Sequence, residues 1–216
     1  MGFSTLNEWL SFQQTINPKE IDLSLERVQF VFNKLEIDIP EKNVFLIGGT
    51  NGKGTTTAIL EHIFYNYGYK TGAFTSPHLN HYNERVRINL NNSADQDWIS
   101  AFKIIEGVRD DIPLTYFEFS ALAAFQMLSD SGCDAWFIEV GLGGRLDATN
   151  VIDPSVSVLT SIAMDHEEWL GESIEMIAVE KVGIAKSNKP LIYGDTVAIE
   201  SIEQGCNDRK AELRRK

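Results

Sequence analysis

A lone lysine set among glycines and threonines carries the most chemistry in this chain. Residues 44–57 read Val-Phe-Leu-Ile-Gly-Gly-Thr-Asn-Gly-Lys-Gly-Thr-Thr-Thr. That is an apolar strand, a glycine-rich turn and a set of hydroxyls opening a helix. Glycines let backbone N–H groups approach a polyphosphate, and a helix N-terminus favours its negative charge. Lys53 supplies a point charge for the outer phosphates, and a following hydroxyl can ligate Mg²⁺. The strict phosphate-loop pattern puts Ser or Thr directly after Gly-Lys. Here Gly54 intervenes and the hydroxyl is that of Thr55, so the loop is a variant.

In open α/β sheets, ligands sit beyond the carboxyl ends of the strands. Besides the loop, three other apolar runs end in useful groups: Phe74 before Ser76, Ile138 before Glu139, and Leu159 before Asp165 and His166. Thr55, Ser76, Glu139 and His166 are oxygen and imidazole types suited to a metal beside a phosphate. Each has a plainer reading. Ser76 precedes a proline and can shape a turn, and His166 can be a surface histidine. Arg145 and Asp147 can form a structural ion pair, and Glu180-Lys181 can be solvated helix charges. Glu139 leans towards function, because an unpaired carboxylate inside an apolar strand is costly. His62 and His81 receive no role.

These groups need elements to hold them. Helices are expected over Leu6–Phe12 and Ile21–Leu35, Thr55–Tyr67, Asp97–Val108 and Thr115–Leu128. Strands are expected at Val44–Ile47, Thr71–Thr75, Ala135–Val140, Ser155–Ser161 and Pro190–Tyr193, with Arg85–Ile88 alternating like a strand. Strands alternating with helices imply an α/β fold: a parallel sheet with helices on both faces. The tail from Ile199 reads as a helix cut short. The chain has 216 residues and a formal charge of −12, which argues against a nucleic-acid partner. Cys133 and Cys206 have no metal spacing and read as reduced thiols of a cytoplasmic protein. No run reaches the roughly 20 apolar residues of a membrane span, and the N-terminus lacks a signal-peptide pattern.

Seven ordered segments together resemble the Mur-ligase superfamily, within it the folate branch of folylpolyglutamate and dihydrofolate synthases. They are Gly-Thr-Asn-Gly-Lys-Gly-Thr at 49–55, Ser-Pro-His-Leu at 76–79, Glu-Arg-Val-Arg at 84–87, Thr-Tyr-Phe-Glu at 115–118, the run from Glu139 to Asn150, Asp-His-Glu-Glu-Trp-Leu-Gly at 165–171 and Glu-Lys-Val-Gly-Ile at 180–184. The resemblance implies a P-loop-type central domain and an ATP-dependent amide ligase. ATP phosphorylates a pterin-linked carboxylate, and glutamate's amine displaces the phosphate. It further implies that Thr50, Asn51, Gly52, Lys53, Gly54 and Thr55 hold ATP. Ser76 and Glu139 would coordinate one Mg²⁺ and His166 a second metal, Thr55 is a further metal-ligand candidate, and Lys181 matches a lysine carbamylated in the family, whose carbamate would be an anionic oxygen ligand for metal. Lys53, His166 and Lys181 are thus the expected catalytic groups. The pterin pocket is expected from Thr15, Ile16, Asn17 and Pro18, from Thr115, Tyr116, Phe117 and Glu118, and from Leu146, Asp147 and Ala148. The substrates would be dihydropteroate or a folate and L-glutamate, the protein a monomer.

The resemblance also implies a second α/β domain, since family members run to about twice this length. Residues 1–195 are therefore expected as the ATP-binding domain and 196–216 as a linker into a domain that is missing. A chain so shortened is expected to bind nucleotide weakly and to have little ligase activity alone. Other readings stay open at this point: a non-catalytic nucleotide- or folate-binding fragment, another P-loop enzyme such as a small-molecule kinase or a GTPase, or a peptidoglycan precursor ligase. Gly54 and the lack of an Asn-Lys-x-Asp segment count against the GTPase. The 115–118 and 165–171 segments favour folate over peptidoglycan.

Overall fold

Burial on both faces explains why the strands of the computed structural model are continuous apolar runs; it describes residues 2–19 and 21–215. In chain order the elements are α1 (Leu6–Ile16), α2 (Glu26–Phe32), β1 (Val44–Gly48), α3 (Lys53–Asn66), β2 (Thr71–Phe74), β3 (Val86–Ile88), β4 (Asn91–Asn92), α4 (Asp95–Val108), α5 (Tyr116–Asp130), β5 (Ala135–Glu139), β6 (Val156–Leu159), α6 (Glu167–Leu170), α7 (Ile174–Lys181), β7 (Pro190–Tyr193), α8 (Ile199–Arg209) and β8 (Glu212–Arg215). The sheet order is β4-β3-β2-β5-β1-β6-β7-β8. Six strands run parallel, and β3 and β4 add an antiparallel edge beside β2. The expected parallel sheet is therefore mixed at one edge.

Strand alternation divides the core. Ile47, Ala73, Ala135 and Phe137 face α3, joined by Phe45, Leu60 and Phe64. Leu46, Phe74, Trp136 and Ile138 belong to the larger cluster on the other face, which takes in α1, α2, α4 and α5. The α3 face is aromatic: Phe137 stacks on Phe45 at 5.3 Å and meets Phe64 edge-on at the same distance. The register sets Ile47 of β1 beside Glu139 of β5, so Glu139 shares the α3 face at the carboxyl end of its strand.

Two expectations change. Residues 21–25 do not continue α2 backwards; Ile21 and Leu23 turn to a cavity, and Arg27 fixes the segment by binding the Asp22 carbonyl and carboxylate. The segment expected as a linker instead joins the same sheet. α8 buries Ile202 and Cys206, and β8 pairs in parallel with β7. Cys133 and Cys206 are both buried and free. Among the described residues no helix is long and apolar enough to cross a membrane.

Phe137 fills the space between α3 and the centre of the sheet. Replacing it with Ala is expected to lower unfolding stability by about 3–5 kcal/mol, read as a shift of the urea midpoint at unchanged slope. A loss under about 1 kcal/mol would contradict this packing.

Candidate functional site

The loop after β1 is shaped by two left-handed glycines and stitched to the neighbouring strand. Gly49 has φ +135°, and a Cβ there would lie 2.1 Å from the Thr160 hydroxyl. Gly52, at φ +84°, precedes α3, which begins at Lys53 rather than Thr55. The loop is tied to the segment after β6. Thr50 N donates to the Ser161 carbonyl (2.8 Å) and Asn51 N to the Ser161 hydroxyl (3.1 Å). The Thr160 hydroxyl donates to the Asn51 carbonyl (2.7 Å) and the Thr50 hydroxyl to the Ala163 carbonyl (3.2 Å). The side chain of Thr50 is thus occupied in shaping the loop. Thr55 stands exposed on the first turn of α3.

Two lysines converge on one backbone oxygen. Lys53 Nζ donates to the Gly49 carbonyl (3.1 Å) and the Thr50 carbonyl (3.2 Å). Lys181, at the end of α7 and 3% exposed, donates to the same Gly49 carbonyl at 3.2 Å. Burial first, and the Lys53 charge second, bring the Lys181 ammonium down to about 8. Lys181 is therefore not a solvated helix charge. Arg145 does not form the ion pair with Asp147 considered above; it pairs with Glu180 at 2.8 Å, so Glu180 is not a free solvated charge either.

Glu139 faces the start of α3. A Cβ on Gly54 would stand 3.6 Å from its Oε2, and Ser76 N donates to the same oxygen at 3.2 Å. Burial raises the Glu139 carboxyl above its ordinary range, opposed by the Ser76 N–H and the charges of Lys53 and Arg87. Arg87 is anchored to the fully buried Glu61 at 2.8 Å. The donor set, a buried carboxylate with neighbouring hydroxyls, is one of hard oxygens. No group of three or more His, Cys, Asp or Glu side chains converges among the described residues. Such a site fits Mg²⁺, which takes one or two protein carboxylates together with substrate phosphates, and does not fit a zinc cage.

Beside these groups opens a cavity of about 450 Å³ whose lining includes Ser76, His166, the start of α5 and residues of the 141–148 turn. His166 has φ +49°, is about half exposed, and lies 3.7 Å from the Asp165 carboxylate. Tyr116 and Phe117 supply aromatic walls. The Phe117 ring fits because residue 141 is glycine: a Cβ there would come within 2.4 Å of it. Thr115 and Glu118 reach the cavity too, but they are partly consumed by a capping box in which Thr115 N donates to Glu118 (2.7 Å) and Glu118 N to Thr115 (3.2 Å). Asp147 is buried and accepts from Leu142 N (2.8 Å) and Thr149 N (2.9 Å). Burial raises its carboxyl, with the Thr149 hydroxyl pulling the other way. Leu146 and Ala148 line the same wall.

The cavity does not include Thr15, Ile16, Asn17 or Pro18. Thr15 bonds back to the Phe12 carbonyl (2.7 Å) and Asn17 ties to the Pro113 carbonyl (2.8 Å), so this stretch braces α1 against the loop before α5. Ile21, Asp22 and Leu23 occupy the wall instead. Pro77 and Arg85 are further cavity residues that sequence reasoning assigned no role. Their only signal was membership of the 76–79 and 84–87 segments.

Residues 47–199 match the family model described as Mur ligase middle domain. The dihydrofolate synthase/folylpolyglutamate synthase of Escherichia coli K12 is 45% identical over 213 residues, covering 99% of this chain and 50% of the relative. Among solved structures, E. coli FolC in complex with DHPP and ADP superposes with a TM-score of 0.96 at 45% identity, over 98% of this chain and 51% of that one. The bifunctional enzyme from Yersinia pestis complexed with AMPPNP and a Mn ion gives 0.93 at 42%, over 98% and 52%. The chain spans about half the length of the curated relatives it matches. With its phosphate-type loop, its metal-suited carboxylate and a family model covering most of its length, this chain belongs to the Mur ligase family.

Proposed function

We propose that this chain carries the ATP- and acceptor-binding part of an amide ligase that joins L-glutamate to dihydropteroate, a reduced folate or both. The observation that carries this reading is the meeting of the Lys53 loop, the Glu139 carboxylate and an aromatic-walled cavity at one end of one sheet. The nucleotides described with the E. coli and Y. pestis proteins, and the latter's manganese, support it.

On this reading the loop from Thr50 to Thr55 receives the phosphates through its backbone N–H groups and Lys53. The acceptor lies in the cavity with its carboxylate towards Ser76 and His166. A carboxylate oxygen attacks the γ-phosphorus, the bond to the β-phosphate oxygen breaks, and ADP leaves. Glutamate's amine then attacks the acyl carbon, phosphate departs with the C–O bonding electrons, and the amine loses a proton. Glu139, Ser76 and Thr55 would hold Mg²⁺ and His166 a second cation, supplying charge neutralisation for the moving phosphoryl group. The chain's own contribution is positioning and fixed charge. Its two buried, free thiols suit a cytoplasmic setting, and we take the working unit as a monomer.

Lys181 fits a carbamate. A neutral amine adds CO₂ with loss of one proton, turning one of two ammoniums crowding the Gly49 carbonyl into an anion. With its ammonium near 8 instead of the ordinary 10.5, the amine is available close to neutral pH. In ¹³C-bicarbonate, a carbamate carbon resonance is expected to grow as pH rises through about 8 and to be absent in Lys181→Arg. An unchanged spectrum would remove the carbamate.

Calorimetry tests the nucleotide end. Mg²⁺–AMPPNP is expected to bind, and Lys53→Met to weaken it by about tenfold or more, the scale of one charge-assisted contact. Failure of the wild-type chain to bind, or equal affinity in the variant, would overturn the assignment. Dihydropteroate binding would separate a ligase from a small-molecule kinase.

A further inference from the structure

Arg85 is the cavity's cation with donors to spare. It is 8% exposed, yet among the described residues no carboxylate pairs with it. The contrast with the other arginines around it is sharp: Arg27 lies 2.9 Å from Glu118, Arg87 2.8 Å from Glu61, and Arg109 2.6 Å from Glu106. Arg85 Nε donates to His78 Nδ1 at 2.9 Å, which fixes that edge and keeps the imidazole a neutral acceptor. Its guanidinium lies over the rings of Tyr82 (5.1 Å) and Tyr116 (5.6 Å), which hold its plane. Among the described residues neither Nη nitrogen has a partner, and neither is sealed from solvent. A mostly desolvated guanidinium with an open fork is built to receive a planar anion in bidentate fashion.

The reacting carboxylate is the wrong occupant. It must reach a phosphate held by Lys53 beside Glu139, and a guanidinium fork would hold it back and quench its nucleophilicity. Arg85 is held by His78, Tyr82 and Tyr116, whereas the groups that bond to Glu139 and to the Glu61 behind it are Ser76 N and Arg87. The acidic groups on the cavity wall are already committed: Asp22 and Glu118 to Arg27, and Asp147 to backbone N–H groups.

We propose that Arg85 is a specificity residue whose open guanidinium edge binds the non-reacting α-carboxylate of an acceptor that already ends in a glutamyl residue. The proposal rests on the reading of this cavity as the acceptor site. An acceptor ending in a benzoate has one carboxylate, which must react. An acceptor ending in glutamate has two, and the γ-carboxylate can react while the α-carboxylate is gripped. Arg85 therefore favours elongation of a glutamylated acceptor over the first addition.

Equilibrium binding of dihydropteroate and of dihydrofolate to the chain separates the possibilities, with Arg85→Gln and Arg85→Lys as variants. We expect Arg85→Gln to weaken dihydrofolate by about tenfold or more and dihydropteroate by less than about twofold, with Arg85→Lys recovering part of the loss. Dihydropteroate then also reports that the variant is folded. Equal losses would make Arg85 a structural brace, and a larger loss for dihydropteroate would assign it to the reacting carboxylate. Either outcome overturns the proposal while leaving the cavity's role intact. If the wild-type chain binds neither compound, the reading of the cavity falls and this assignment with it.

Discussion

A carboxylate buried at the end of a central strand is the constraint around which the rest of this fold is arranged. Glu139 is 5% exposed on the face that carries Ile47, Ala73 and Phe137. Desolvating such a group is expensive unless positive charge and N–H donors compensate. Here the compensation comes from three directions: the Ser76 N–H, Lys53 at the start of α3, and Arg87 held from behind by Glu61. Glycine at 54 lets the first turn of α3 approach the carboxylate with no side chain between them. The glycine that breaks the strict phosphate-loop pattern thus lies directly opposite the buried carboxylate.

The loop itself is held by crosslinks rather than by its own conformation. Its backbone and the Thr50 hydroxyl are joined to residues 160–163 after β6, so β1 and β6 act as one platform. Lys53 and Lys181 then meet at the Gly49 carbonyl. Two ammoniums on one acceptor are an unstable arrangement unless one loses its charge or an anion joins them. A polyphosphate or a carbamate would each resolve it. The same surplus of unspent positive charge recurs at Arg85, and in both places it marks where an anionic ligand is expected.

Much of this was legible in the chain. The strands around β1, β2, β5 and β7 announced themselves as short apolar runs, and the Gly-Lys-Gly turn announced the phosphate end. The cavity was half legible: residues 115–118 and 146–148 reach it, whereas Thr15–Pro18 do not. The chain leaves α1 and turns to the cavity only at Ile21, because Asn17 is tied to Pro113 and Arg27 draws Asp22 inwards. Such tertiary ties leave no trace in local periodicity. The Arg85 fork escaped for a related reason: its meaning lies in what fails to pair with it. The charged tail from Ile199 reads as a helix cut short, and a helix forms over Ile199–Arg209, but helical periodicity could not show that the Glu-Leu-Arg-Arg run after it would pair with β7.

The most direct test of the account is the Mg²⁺ dependence of nucleotide binding in Glu139→Gln. If Glu139 is the carboxylate that shares a divalent cation with the phosphates, Mg²⁺ will strengthen AMPPNP binding to the wild-type chain. The variant will bind the metal-free nucleotide at least as well, yet lose most of the gain from Mg²⁺. An unaltered Mg²⁺ dependence in the variant would contradict the central claim that this buried carboxylate and the Lys53 loop form one nucleotide–metal site.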